Sequence, residues 1–184
     1  ISVCRADPGQ PLRLSLDTLV NTGKASMSGA AVHGILPHHV RNAPTFEEVA
    51  ADLVRDMAGR VIVCHNADFL FKFLKPELKR MKLKTDFPYI DTMHLYAMLT
   101  RGPNRSLHTA CIDEEIEYAG SPLSSSACLA TGRLWRNLLE VLATMGIATF
   151  GKMSAKRKYP FQPSFKYLPF EVHVVYEVEE SINR

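Results

Sequence analysis

The chain has 184 residues, 46% of them hydrophobic, which suits one domain with a small appendage and supplies a real core. A net charge of +3 is too small for charge alone to argue a nucleic-acid partner. No apolar run reaches the roughly 18 residues a membrane span needs and no signal peptide is visible, so the expectation is a soluble intracellular protein with no membrane partner.

Residues 1–6 are β-prone, Asp7-Pro8-Gly9 is a turn signal, and Leu12, Leu14, Leu16 and Thr18-Leu19-Val20 continue as a second strand of a hairpin ended by Asn21-Thr22-Gly23. Residues 24–44 read as a long loop with short helical turns. Thr45 with Glu48 three residues on is a capping box, and Phe46, Val49, Leu53 and Met57 recur at helical spacing up to Gly59. Val61 to Cys64 is a short apolar strand of the kind covered on both faces in a parallel sheet. His65-Asn66-Ala67 turns the chain into a helix over 68–81, which Pro76 should kink or split. Tyr89-Ile90-Asp91-Thr92 is a strand end. Helices follow over 93–99, 106–116 and 123–145, the last with Leu129, Leu134, Leu138, Leu142 and Met145 on one stripe.

Strands alternating with helices predict an α/β domain over 1–146. Residues 147–184 read as a C-terminal extension. Within it Lys152, Lys156, Arg157, Lys158 and Lys166 interleave with Tyr159, Phe161, Phe165, Tyr167 and Phe170, and 171–179 alternate like a strand. Cations tracking phosphates and rings stacking on bases suit single-stranded DNA or RNA. Aromatics flanked by Pro160, Pro163 and Pro169 equally suit docking on a protein, and a solvated tail that folds back on its own domain is the third reading. Cys4, Cys64, Cys111 and Cys128 show no CxxC spacing, so reduced thiols are expected rather than disulfides or zinc ligands.

The order of motifs resembles the DEDDh family of 3′–5′ exonucleases, the DnaQ-like proofreading-subunit type. The landmarks are Leu19-Val20-Asn21, Ala31-Val32-His33-Gly34-Ile35, Ala43-Pro44-Thr45-Phe46-Glu47-Glu48-Val49, and His65-Asn66-Ala67 with Phe69 and Phe73-Leu74. Ile90-Asp91-Thr92, Ser106-Leu107 with Ala110-Cys111, and Leu129-Ala130-Thr131 with Arg133-Leu134 complete the set over roughly residues 1–140. The resemblance implies an RNase H-like fold, a central mixed sheet flanked by helices. It also implies two magnesium or manganese ions held by four carboxylates, with a histidine as general base.

Carried over position by position, the resemblance implies a degenerate site. The third carboxylate falls on Leu70, the fourth on Ala127 and the histidine on Pro122. Leu70 would then pack where a cation would otherwise sit, and no cofactor is expected. The first strand, with its Asp-x-Glu motif, would lie before Ile1. Upstream residues or a partner are expected to cover the sheet edges it would pair with. Asp68 cannot stand in for Leu70, being rotated by roughly 200° on a helix, and reads as an N-cap.

His33, Gly34 and Ile35 are either a retained nucleotide pocket or a loop kept for its turn, with Gly34 at positive φ. His65 and Asn66 are candidate nucleic-acid contacts but read better as caps of the strand-to-helix turn. Asp91 reads as a structural acid bonding backbone, and His38, His39, His94 and His108 as ordinary. The expected protein is an exonuclease-like pseudoenzyme, serving as a docking or nucleic-acid-contacting subunit of a larger assembly. The alternatives are an active metal-dependent exonuclease whose first motif lies upstream, with magnesium or manganese, and a purely structural protein-binding subunit.

Overall fold

A computed structural model describes residues 1–23, 30–100, 105–120 and 124–168. The Asp7-Pro8-Gly9 turn forms as the sequence predicts. Gly9 takes φ +64°, Gln10 N–H donates to the Asp7 carbonyl at 3.2 Å, and β1 (Ser2–Arg5) pairs antiparallel with β2 (Arg13–Asp17). β2 stops at Asp17 instead of running to Val20. Beyond it, Asn21 N–H donates to the Pro44 carbonyl at 2.8 Å, so that stretch bonds to the entry of the next long helix.

Two single-turn helices, α1 (Ala30–His33) and α2 (Pro37–Val40), lie in the predicted long loop. The capping box at Thr45 starts α3 (Phe46–Met57): Thr45 N–H donates to Glu48 Oε2 at 2.7 Å, and Glu48 N–H donates back to Thr45 Oγ1 at 3.4 Å. Its buried face is Val49, Ala50, Leu53 and Met57. β3 (Ile62–Cys64) pairs parallel with β4 (Tyr89–Asp91), Val63 opposite Ile90. β3 is half-buried, not covered on both faces as its apolar sequence implied.

Between them α4 (Ala67–Arg80) runs through Pro76 unsplit. Pro76 and Lys72 lie on the exposed face, so the carbonyl four residues back that loses its N–H partner can turn to water. α5 (Thr92–Thr100) and α6 (Leu107–Asp113) follow, then α7 (Ser124–Thr144). Leu134, Leu138 and Leu142 of the predicted stripe are fully buried, whereas Met145 falls past the helix end and is exposed.

The architecture is mixed α/β, as expected, but the strands form two separate two-stranded ladders; no ladder among the described residues joins β1 to β3. Helix α7 spans both, packing on β1, β2 and β3. Gly132 is what lets the hairpin approach it. A Cβ there would lie 3.0 Å from Leu12 Cδ1 and 3.3 Å from Cys4 Sγ, so both side chains would have to shift by a few tenths of an ångström.

The C-terminal stretch folds back on the domain: α8 (Phe150–Lys156), a 3₁₀ turn (Gln162–Tyr167) and the link between them bring Phe150, Met153, Tyr159 and Phe161 into the same core as Ile90, Leu95, Leu134, Leu138 and Leu142. No break in the core falls at 146/147. Tyr159 and Phe161 stack at 5.3 Å with their planes 20° apart and are buried, so neither ring offers a face to a base. Ser164, itself buried, bonds the outer edge of β4: its Oγ accepts from Tyr89 N–H at 2.9 Å and donates to the Tyr89 carbonyl at 3.2 Å. A hydroxyl thus satisfies both backbone groups of an otherwise open strand edge. The strand expected over 171–179, with Pro169 and Phe170, lies outside the described residues.

Candidate functional site

The chain leaves β3 at Cys64 and must turn sharply to enter α4. Asn66 makes that turn in the left-handed region, φ 71° and ψ 69°, a conformation Asn tolerates better than most residues. Its side-chain oxygen accepts from Phe69 N–H at 3.2 Å, so Asn66 is the N-cap of α4. That corrects the cap reading of Asp68, which lies inside the first turn, exposed, where a negative charge suits the helix N-terminus.

Asp91 organises the corner. It is 2% exposed, and its carboxylate accepts three backbone N–H groups: Oδ1 from Asn66 and Met93, each at 3.0 Å, and Oδ2 from Ala67 at 2.8 Å. Those donors belong to the first turns of α4 and α5, so two helix N-termini converge on one buried anion. The structural reading of Asp91 is what the geometry gives.

His65 is bound on both ring nitrogens. Nε2 faces the Arg105 carbonyl at 2.8 Å, which only accepts, so Nε2 carries the hydrogen; Nδ1 faces Thr92 Oγ1 at 3.0 Å. Burial pushes the imidazole below its ordinary range, while the Arg105 carbonyl and Asp91 pull the other way less strongly. The unfolded chain takes up this proton near pH 6.5 and the folded one only at lower pH. Stability from neutral His65 is therefore complete above pH 6.5 and is lost as pH falls below it. Replacing His65 with Gln should flatten the pH dependence of the urea-unfolding free energy just below pH 6.5. Glu48 and Asp56, held below the usual carboxylate range by hydrogen bonds from Thr45 and from Ser15 and Arg5, act in a separate acid window.

Gly34 takes φ +67°, and Ile35 N–H donates to His33 Nδ1 at 3.0 Å, the geometry of the turn reading. Leu70 is 36% exposed on α4. Ala127 is half-buried on α7, and Pro122 lies outside the described residues. The hard cations of the family's chemistry need oxygen donors, and the side chains of Leu70 and Ala127 have none. They do not fit a bound divalent ion, and no catalytic step is derived through one. Lys152, Lys156, Arg157, Lys158 and Lys166 are exposed; Arg157 nevertheless donates to the Met98 carbonyl, and Lys166 lies 4.9 Å from the Tyr167 ring centroid.

Sequence reasoning missed the face presented by Phe69 and Phe73. They are 64% and 58% exposed and meet edge-to-face at 5.1 Å, whereas Phe71 and Leu78 turn into the core. The signal was available: positions 69 and 73 share a face roughly 160–200° from Phe71. No described helix is long and apolar enough to cross a membrane.

A family model described as Exonuclease (RNase_T) matches residues 16–120, more than half of the chain. A DNA polymerase III subunit epsilon-like protein of Rhodobacter capsulatus is 31% identical over 139 residues, covering 73% of this chain and 20% of that protein. The DNA polymerase III subunit epsilon of Buchnera aphidicola is 29% identical over 112 residues, 58% of this chain and 47% of that one. A PolC-type DNA polymerase III of Caldanaerobacter subterraneus is 29% identical over 126 residues, 66% of this chain and 9% of that protein. The chain spans less than half the length of each. The matched segment begins on β2 and runs through the α3, β3–α4 corner, β4 and α6 landmarks in the order the resemblance required. With the α/β architecture and the Asp91-centred corner, these matches establish that the chain belongs to the DnaQ-like 3′–5′ exonuclease family, with an RNase H-like fold.

Proposed function

We propose that this chain is a catalytically inactive exonuclease-like module that contributes a nucleic-acid-contacting and docking surface to a larger nucleic-acid-handling assembly. One observation carries the reading. At the strand-to-helix corner, His65, Asn66 and Asp91 are committed to internal hydrogen bonds, and the positions the resemblance assigns to carboxylates hold Leu70 and Ala127. Such a corner keeps the fold's backbone geometry without donors for a metal pair. The named relatives carry DNA polymerase III names, one of them as its subunit epsilon, which supports an assembly that handles nucleic acid.

The outward surface suits a contact role. Phe69 and Phe73 stand exposed with Lys72 between them in sequence, and Lys152, Lys156, Lys158 and Lys166 project from the C-terminal stretch. Purified protein given magnesium or manganese and an end-labelled single strand should leave the strand at full length. Shortening that EDTA abolishes would instead establish an active exonuclease. The triple variant Lys152→Ala, Lys156→Ala, Lys158→Ala should weaken single-strand binding. Its slope of log K against log salt should fall by about 0.7 for each lost phosphate contact. Unchanged or absent binding would leave a protein-only docking subunit.

A further inference from the structure

We propose that Cys4 and Cys128 form a reversible disulfide, driven by a peroxide, that staples strand β1 to helix α7. The two residues are far apart in sequence and adjacent in space. The Cys4 thiol donates to the Cys128 carbonyl oxygen at 3.6 Å, which sets the Cys4 side chain directly against residue 128. The close approach is built into the helix, because Gly132, one turn further along α7, leaves the space that Cys4 occupies. Both cysteines are free and half-buried.

The pair has a division of labour. Donation from Cys128, aided by the positive charge of Arg136, outweighs burial and lowers the Cys4 thiol to about 7, so Cys4 is the nucleophile. Cys128 is pushed up by the same contact and by burial, and remains a thiol. The Cys4 thiolate attacks hydrogen peroxide: an S–O bond forms, the O–O bond breaks, and the departing hydroxide takes a proton to leave as water. Cys128 sulfur then attacks the Cys4 sulfenic acid. The S–S bond forms, the S–O bond breaks, and the hydroxide leaves as a second water with the Cys128 proton. Both sulfurs are oxidised and both peroxide oxygens reduced; a dithiol reductant reverses the step. The other two cysteines are excluded by position. Cys64 bonds the Ile90 carbonyl at 3.8 Å beside buried Asp91, Cys111 is fully buried, and burial raises both thiols. This goes against the expectation that all four cysteines stay reduced, which spacing alone supported.

The test is a peptide map of the reduced full chain after hydrogen peroxide and alkylation. The expected result is a linked Cys4–Cys128 peptide as the main oxidised product. Titratable thiols should fall from the four per chain to about half, and dithiothreitol should restore them. Cys4→Ser should leave Cys128 reduced at the same dose, and Cys128→Ser should leave a Cys4 sulfenic acid that dimedone captures. Sulfinic acid at Cys4 with no link in the wild-type chain would overturn the proposal, as would a link to Cys64, Cys111 or a second chain. If a variant fails to fold, the wild-type map decides alone.

Discussion

Asp91→Ala should destabilise the protein by about 4 kcal/mol or more, from the net worth of roughly 1.5–3 kcal/mol of each hydrogen bond to a charged group. The variant would leave three N–H donors, of buried Ala67 and half-buried Asn66 and Met93, without their acceptor at once. It would also remove the anion that two helix N-termini face. With typical domain stabilities of about 5–15 kcal/mol, the loss consumes much of the margin. Urea denaturation followed by far-UV circular dichroism should show a midpoint shifted far down or no cooperative transition. Asp91→Asn keeps one acceptor oxygen and should fall between the two. A loss below about 1 kcal/mol would mean that the carboxylate is not what holds the corner. The prediction also cautions against reading function into this acid: a dead Asp91 variant would report an unfolded corner before it reported a missing catalyst.

Phe161→Ala should cost about 3–5 kcal/mol, the range for deleting a fully buried aromatic ring. The ring is fully buried, stacks on Tyr159, and meets Phe165 at 5.9 Å within the core that α7 contributes to. Lys156→Ala and Lys158→Ala, a few residues away on the surface, should stay within about 0.5 kcal/mol of wild type. Equilibrium unfolding of the three variants side by side reads this directly. A chain ending at residue 146 should fail to fold cooperatively, since it would lack Ile147, Phe150, Met153, Tyr159 and Phe161 of the shared core. An exposed, dispensable segment would give the opposite pattern, with Phe161→Ala nearly neutral and the truncation stable.

These expectations separate two kinds of information. The local signals were legible from residues alone because their causes are local. The Thr45–Glu48 capping box needs only neighbours three apart, Asp7-Pro8-Gly9 needs only its own backbone preferences, and the Leu134, Leu138, Leu142 stripe follows from helical period. The family landmarks were legible for the same reason, since each is a short run whose order along the chain survives without coordinates. The absence of oxygen donors at Leu70 and Ala127 was also fixed at this level.

Other features depended on which elements meet. The basic-aromatic stretch read as a tail because its composition resembles a single-strand binding surface. Packing instead turned Tyr159 and Phe161 into the core shared with α7 and left the cations outside, a choice made by long-range burial of apolar area. Asp68 looked like a cap from its place before an apolar run, but the left-handed turn at Asn66 moved the helix start upstream. Ser164 on the edge of Tyr89 and Cys4 against Cys128 join residues 75 and 124 positions apart, which no periodicity can announce. Sequence by itself determined most of the elements, the family and which side chains stand at positions 70 and 127, since those rest on residue identity and near-neighbour geometry. Only the tertiary structure decided which polar groups are already satisfied, which rings are core, and that Cys4 lies against Cys128, because each of those is a property of distant segments brought together by burial.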